Sequence, residues 1–103
     1  MHDLVIENAR VIDGLGGCAI EGGVAIKGGR IAAVGKNLGS AQTRVDAEGQ
    51  VLAPGIVDLH THFDAQLTWD SFATPSPSNG VTTVVIGNCG FPIAPCTPEH
   101  RDL

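Results

Sequence analysis

The run Val81-Thr82-Thr83-Val84-Val85-Ile86 limits the possible folds of this chain more than any other feature. It is built from β-branched residues, and such runs suit parallel strands covered on both faces. A second β-type segment, Ile56-Val57-Asp58-Leu59-His60, begins just after the break at Pro54-Gly55. About twenty residues separate the two, more than the dozen a parallel crossover requires. Ala65 to Phe72 suits a short helix within that crossover, with Asp64 as its N-cap. Thr74-Pro75-Ser76-Pro77-Ser78-Asn79-Gly80 is a loop by composition. Two parallel strands and one crossover form the opening of a β/α barrel that these residues do not complete.

Upstream of Pro54 the pattern differs. Leu4-Val5-Ile6 and Arg10-Val11-Ile12 flank a turn signal at Asn8-Ala9, and Asp13-Gly14 is another. Val24 to Lys27 and Arg30 to Val34 are joined by Gly28-Gly29, which supplies the positive φ angles of a two-residue hairpin turn. Val45 and Gln50-Val51-Leu52 repeat the theme around Glu48-Gly49. These segments predict hairpins from a small antiparallel sandwich. Gly14-Leu15-Gly16-Gly17 is a flexible loop and not a dinucleotide fingerprint, because Ala19 stands where the third glycine belongs. Glu7, Arg10, Glu21, Lys27 and Arg30 read as solvated faces.

Composition removes several function classes. The formal charge of −5 argues against nucleic acid or an anionic membrane surface as a partner. Only 4% of residues are aromatic, too few for a base-stacking platform. No apolar run approaches the ~18 residues of a membrane span, and Met1-His2-Asp3 lacks the start of a signal peptide. Cys18, Cys89 and Cys96 are an odd, scattered set, so a reducing cytoplasm is the expected compartment.

The chemistry concentrates at the ends of the two later strands. In extended chain, residues i and i+2 share a face, so His60 and His62 can reach one ion. Asp58 lies on the same face, where it can orient an imidazole. Two ordinary loop histidines would also fit the bare motif, but barrel enzymes place their chemistry at the C-terminal ends of strands. Cys89 follows the second strand. As a thiolate it is a strong zinc ligand; as a free thiol it would be a small buried apolar residue. Adjacent parallel strands end side by side, which turns Cys89 and the two histidines toward one opening. Imidazole also suits nickel, copper or iron. Cys18, Cys96 and His100 carry no assigned chemistry, and Phe63, Trp69 and Phe72 are expected to pack.

Pro54-Gly55-Ile56-Val57-Asp58-Leu59-His60-Thr61-His62 resembles the opening metal motif of the amidohydrolase superfamily. Gly80-Val81-Thr82-Thr83-Val84-Val85-Ile86-Gly87-Asn88-Cys89-Gly90, with Asp64 just after the histidines, is more selective and resembles the N-acyl-D-amino-acid deacylases, or D-aminoacylases. The likeness extends over the whole chain, glycine-rich hairpins included. It implies a β-rich α/β fold: residues 1–54 as the N-terminal part of a small β-sandwich, and 55–103 as the first strands of an incomplete metal-dependent (β/α)8, or TIM, barrel. It also implies one or two zinc ions. His60 and His62 would hold the weaker site and Cys89 would bind or share the tight one, with Asp58 and Asp64 behind them. The substrate would be a small N-acylated D-amino acid, hydrolysed at its amide bond. The aspartate that moves protons would lie beyond Leu103, so these 103 residues would be an inactive N-terminal fragment.

Two other readings stand beside this one. One is a fragment of a relative acting on cyclic amides, as hydantoinases and dihydroorotases do; many of these bridge their metals with a carboxylated lysine, and Cys89 counts against that. The other is a non-catalytic β-rich module that keeps the metal motif as a relic. Oligomeric state, acyl group and preferred side chain have no counterpart in these residues.

Overall fold

The computed structural model of the protein describes residues 1–89 and 97–100. The chain divides into two units, Met1–Pro54 and Gly55–Leu103.

The first unit is one five-stranded sheet made of β1 (His2–Val11), β2 (Ile20–Lys27), β3 (Arg30–Gly35), β4 (Ala41–Asp46) and β5 (Val51–Leu52). The order is β3-β2-β1-β4, and β5 also pairs with β1. The Gly28-Gly29 hairpin forms as expected, with φ of 58° and 72° and β2 antiparallel to β3. An all-antiparallel arrangement does not form, because β4 and β5 both run parallel to β1. The turn expected at Asn8-Ala9 is instead a bulge within one continuous strand, and the β1–β2 register shifts between Ile6 and Ala9. Asn8 takes a left-handed φ of 53°, a conformation that Asn tolerates. The break between β4 and β5 faces that bulge: Ala47 N–H donates to Glu7 O at 2.8 Å and Gly49 N–H to Asn8 O at 2.7 Å.

Alternation along the strands puts Leu4 opposite Ile26 and Ile6 opposite Val24. Past the bulge the same face continues through Ala9 and Val11, which pack with Val24, Ile26, Ala47 and Leu52. Among the described residues no side chain larger than Val is fully buried. So small a core is sensitive to added volume. A Cβ at Gly23 would overlap the carbonyl oxygen of Ile6 across the β1–β2 pair. Gly23→Ala is therefore expected to destabilise this sheet by about 1–3 kcal/mol, read as a lowered denaturation midpoint.

One ion pair crosses from β1 to β4. Arg44 donates from Nη2 to Glu7 Oε2 and from Nε to Oε1, the latter at 3.1 Å. The guanidinium hydrogen bond holds the Glu7 carboxyl below its ordinary value. Asp46 is lowered as well, first by the Glu48 N–H and then by the Asn8 side chain. A carboxyl whose folded pKa is depressed stabilises above its unfolded pKa, and that contribution disappears as pH falls through the folded value. Both groups are exposed, so the effect is small and screened by salt. Acid unfolding below the usual carboxylate range is expected to be shallower in Glu7→Gln than in the parent.

The second unit carries β6 (Ile56–Asp58) and β7 (Val81–Val84), paired in parallel as their sequence predicts. Both are shorter than their β-type runs, for a local reason. Val85 N–H still donates to Asp58 O at 2.9 Å, but the Val85 carbonyl is taken by the Thr61 hydroxyl at 2.7 Å. A side chain replaces the ladder there, and both strands give way to loops. The crossover holds two 3-10 turns, Gln66–Thr68 and Ser76–Asn79, and not the expected helix over Ala65 to Phe72. Asp70 stops it: its carboxylate accepts from Gln66 Nε2 at 3.0 Å, Phe72 N–H at 3.0 Å and Thr74 N–H at 2.7 Å. Such local side-chain bonds compete with helix, and they lower the Asp70 pKa, the Gln66 amide most. Nor does Asp64 cap that segment; Ala65 stands at the N-cap position. Without an amphipathic helix, Trp69 and Phe72 do not pack as expected and remain 74% and 78% exposed. Among the described residues no helix is long and apolar enough to cross a membrane.

Candidate metal centre

The short parallel pair determines where the polar groups emerge. β6 ends at Asp58, so His60 and His62 lie in the loop at its C-terminal end; β7 ends at Val84, and Cys89 follows in the neighbouring loop. The two histidines stand past the end of the pleated strand and still come side by side. The imidazole rings stack with centroids 5.8 Å apart and planes at 20°. Cys89 reaches the same place, and one donor atom from each of His60, His62 and Cys89 lies within 4.8 Å of the others. The histidines are exposed and the cysteine is half-buried.

This donor set fits a transition-metal ion. A tetrahedral zinc ion holds nitrogen at ~2.0–2.1 Å and sulfur at ~2.3 Å, which separates its donors by roughly 3.5 Å. The three atoms, within 4.8 Å of one another, lie somewhat wider than that spacing. Two imidazoles and a thiolate are also a borderline-soft set, suited to zinc rather than to magnesium or calcium. Among the described residues these three side chains are the ones that could hold such an ion together.

The flanking acids act on the loops. Asp58, half-buried, accepts the backbone N–H of His60 on its Oδ1 at 3.1 Å, fixing the main chain that carries the first imidazole. Asp64 is 4% exposed. Its Oδ1 accepts the Gly87 N–H at 2.7 Å, and its Oδ2 is buried with no hydrogen-bond partner.

Two residues without an assigned role in the sequence reading join the loops as well. Besides the Thr61 bond to Val85 O, Asn88 Nδ2 donates to Leu59 O at 2.8 Å. Alternation holds the signal for Thr61. A residue between two same-face histidines points the other way, and Thr61 is accordingly 5% exposed. Cys18 is exposed and belongs to the first unit. Phe63 is half-buried. Cys96 and the His100 side chain lie outside the described residues.

Known proteins resemble this chain in sequence and in fold. Residues 43–102 match the amidohydrolase family. The chain is 47% identical over 106 residues to an N-acyl-D-aspartate deacylase of Alcaligenes xylosoxydans xylosoxydans, which covers 98% of this chain and 21% of that protein. A D-aminoacylase structure, solved in work on the role of its binuclear metal centre, superposes with a TM-score of 0.85 at 43% identity, over 93% of this chain and 20% of that one. An N-acyl-D-glutamate deacylase of Bordetella bronchiseptica, complexed with zinc and a phosphonate mimic of the tetrahedral intermediate, gives a TM-score of 0.77 at 36% identity, over 92% of this chain and 20% of that one. The chain thus spans about a fifth of the length of these relatives. The match over residues 43–102 and the 47% identity over 98% of the chain agree, and the chain belongs to the amidohydrolase family.

Proposed function

We propose that this chain supplies His60, His62 and Cys89 to a zinc site that hydrolyses the amide bond of N-acyl-D-amino acids, releasing a carboxylate and a free D-amino acid. The observation that carries the proposal is the convergence of two imidazole donors and one thiol within 4.8 Å at the C-terminal ends of two parallel strands. The similar deacylases support the substrate class, and the D-aminoacylase work supports one or two ions. Cys89 favours linear amides over the cyclic amides of relatives that bridge their metals with a lysine.

Zinc held there supplies Lewis acidity, polarising an amide carbonyl and making water a better nucleophile. The chain's own residues provide the holding. His60 and His62 must present neutral imidazole lone pairs, and Cys89 must be a thiolate. Asp58 restrains the main chain that carries the first imidazole.

The activity is tested on the zinc-loaded protein expressed from its complete coding sequence. Amine release is followed from N-acetyl-D-methionine, N-acetyl-D-aspartate and N-acetyl-D-glutamate, with the L enantiomers as controls. Hydrolysis of at least one D substrate, at least tenfold faster than its enantiomer, is the expected result. Turnover of cyclic amides alone would overturn the reading.

A further inference from the structure

We infer that Asp64 is a positioning residue for Cys89, a buried acceptor that fixes the cysteine-bearing loop against the histidine-bearing loop. The inference rests on the metal reading above and adds a residue that stands outside the donor cluster.

The geometry is specific. Asp64 follows His62 by two positions, and Gly87 precedes Cys89 by two. The Asp64 Oδ1 to Gly87 N–H bond of 2.7 Å therefore ties the two loops together next to their donors. Two further bonds join the same loops: the Thr61 hydroxyl to Val85 O at 2.7 Å and the Asn88 amide to Leu59 O at 2.8 Å. Asp64 differs from both in being a carboxylate that is 96% buried, since only 4% of it is exposed, with one oxygen unpartnered. A buried polar oxygen without a partner opposes folding. What the bond to Gly87 supplies is position, because catalytic and metal constellations need their supporting residues held to within about half an ångström.

Gly87 sharpens the point. Its φ of 80° lies in the left-handed region, where the chain turns out of β7 toward Cys89. A hinge of that kind has few intrinsic restraints, and the Asp64 carboxylate grips it by its amide. Removing the acceptor frees the turn, and the thiol is then presented over a range of positions. The imidazoles, carried by the other loop, are affected much less.

The test uses cobalt(II) in place of zinc, in the protein expressed from its complete coding sequence. A thiolate on cobalt gives a near-ultraviolet charge-transfer absorption, whereas bound cobalt itself is counted by metal analysis. The parent is expected to show both the absorption and bound metal. Asp64→Ala is expected to lose most of the charge-transfer intensity per bound cobalt, at least fivefold, while its strand circular dichroism persists. Asp64→Asn keeps the carbonyl acceptor and is expected to retain that intensity. The Gly87 amide of the parent is expected to be protected from hydrogen exchange, a measurement independent of whether Asp64→Ala folds. Full charge-transfer intensity in Asp64→Ala, its loss in a folded Asp64→Asn, or an unprotected Gly87 amide would each overturn the inference. A parent that binds cobalt without thiolate absorption would instead refute Cys89 as a ligand, and so remove the metal reading beneath it.

Discussion

Cys89→Ala is expected to lower kcat/KM for N-acyl-D-amino acids by at least about a thousandfold. Lewis-acid stabilisation of a developing oxyanion is worth several kcal/mol, and each 1.36 kcal/mol is a factor of ten in rate. Among the described residues, Cys89 is the donor that the β7 side brings to the cluster. Without it this cluster keeps two exposed imidazoles of a single loop. Cys89→Asp keeps an anionic ligand that zinc accepts, so part of the activity and more of the bound metal are expected to survive. The comparison of the two variants, assayed by amine release and metal content together, separates loss of a ligand from loss of a fold. Full activity in Cys89→Ala would remove that residue from the proposed site.

Gly55→Ala is expected to weaken zinc binding by about tenfold to a hundredfold, although Gly55 touches no donor. A Cβ at this position would overlap the side chain of Thr82 on the neighbouring strand. The β6–β7 register shifts between Ile56 and Val57, so that Ile56 faces Val81 while Val57 faces Thr83. Thr82 is the residue skipped there. Overpacking of this sort costs about 1–3 kcal/mol, and strands forced apart at one end carry the histidine and cysteine loops apart at the other. The double substitution Gly55→Ala, Thr82→Gly removes the overlap and is expected to recover most of the affinity. No recovery, with both proteins folded, would show that strand spacing does not govern the site.

The same close contacts explain what the sequence revealed and what it concealed. Period-2 patterning and β-branched content located β2, β3, β6 and β7, because those signals belong to single strands. The parallel pairing of β4 and β5 with β1 depends on which strand accepts which hydrogen bonds, and no local pattern encodes it. Asn8 reads as a turn residue, yet in the ladder it makes a bulge, since left-handed backbone serves either purpose. The expected helix before Phe72 failed because Asp70 can satisfy three donors at once, which composition does not reveal. At the site, the i, i+2 histidine spacing was legible, although the strand expected to carry it ends at Asp58 and both residues stand in the loop beyond. The meeting with Cys89 needed the parallel pairing, which the two β-type runs foretold. The bonds from Thr61, Asp64 and Asn88 to backbone atoms 23 to 29 positions away in sequence were not legible, because any polar side chain in a loop can make such bonds and only the fold selects them.

Zinc content after exhaustive dialysis, measured in the parent and in the double variant His60→Ala, His62→Ala, tests the metal site most directly. The parent, expressed from its complete coding sequence, is expected to retain at least one zinc ion per chain at neutral pH. The double variant loses both imidazoles of this cluster and is expected to retain markedly less zinc while its strand signal persists. Metal content unchanged in the folded double variant would contradict the assignment of the pair, and with it the site on which the proposed hydrolysis depends.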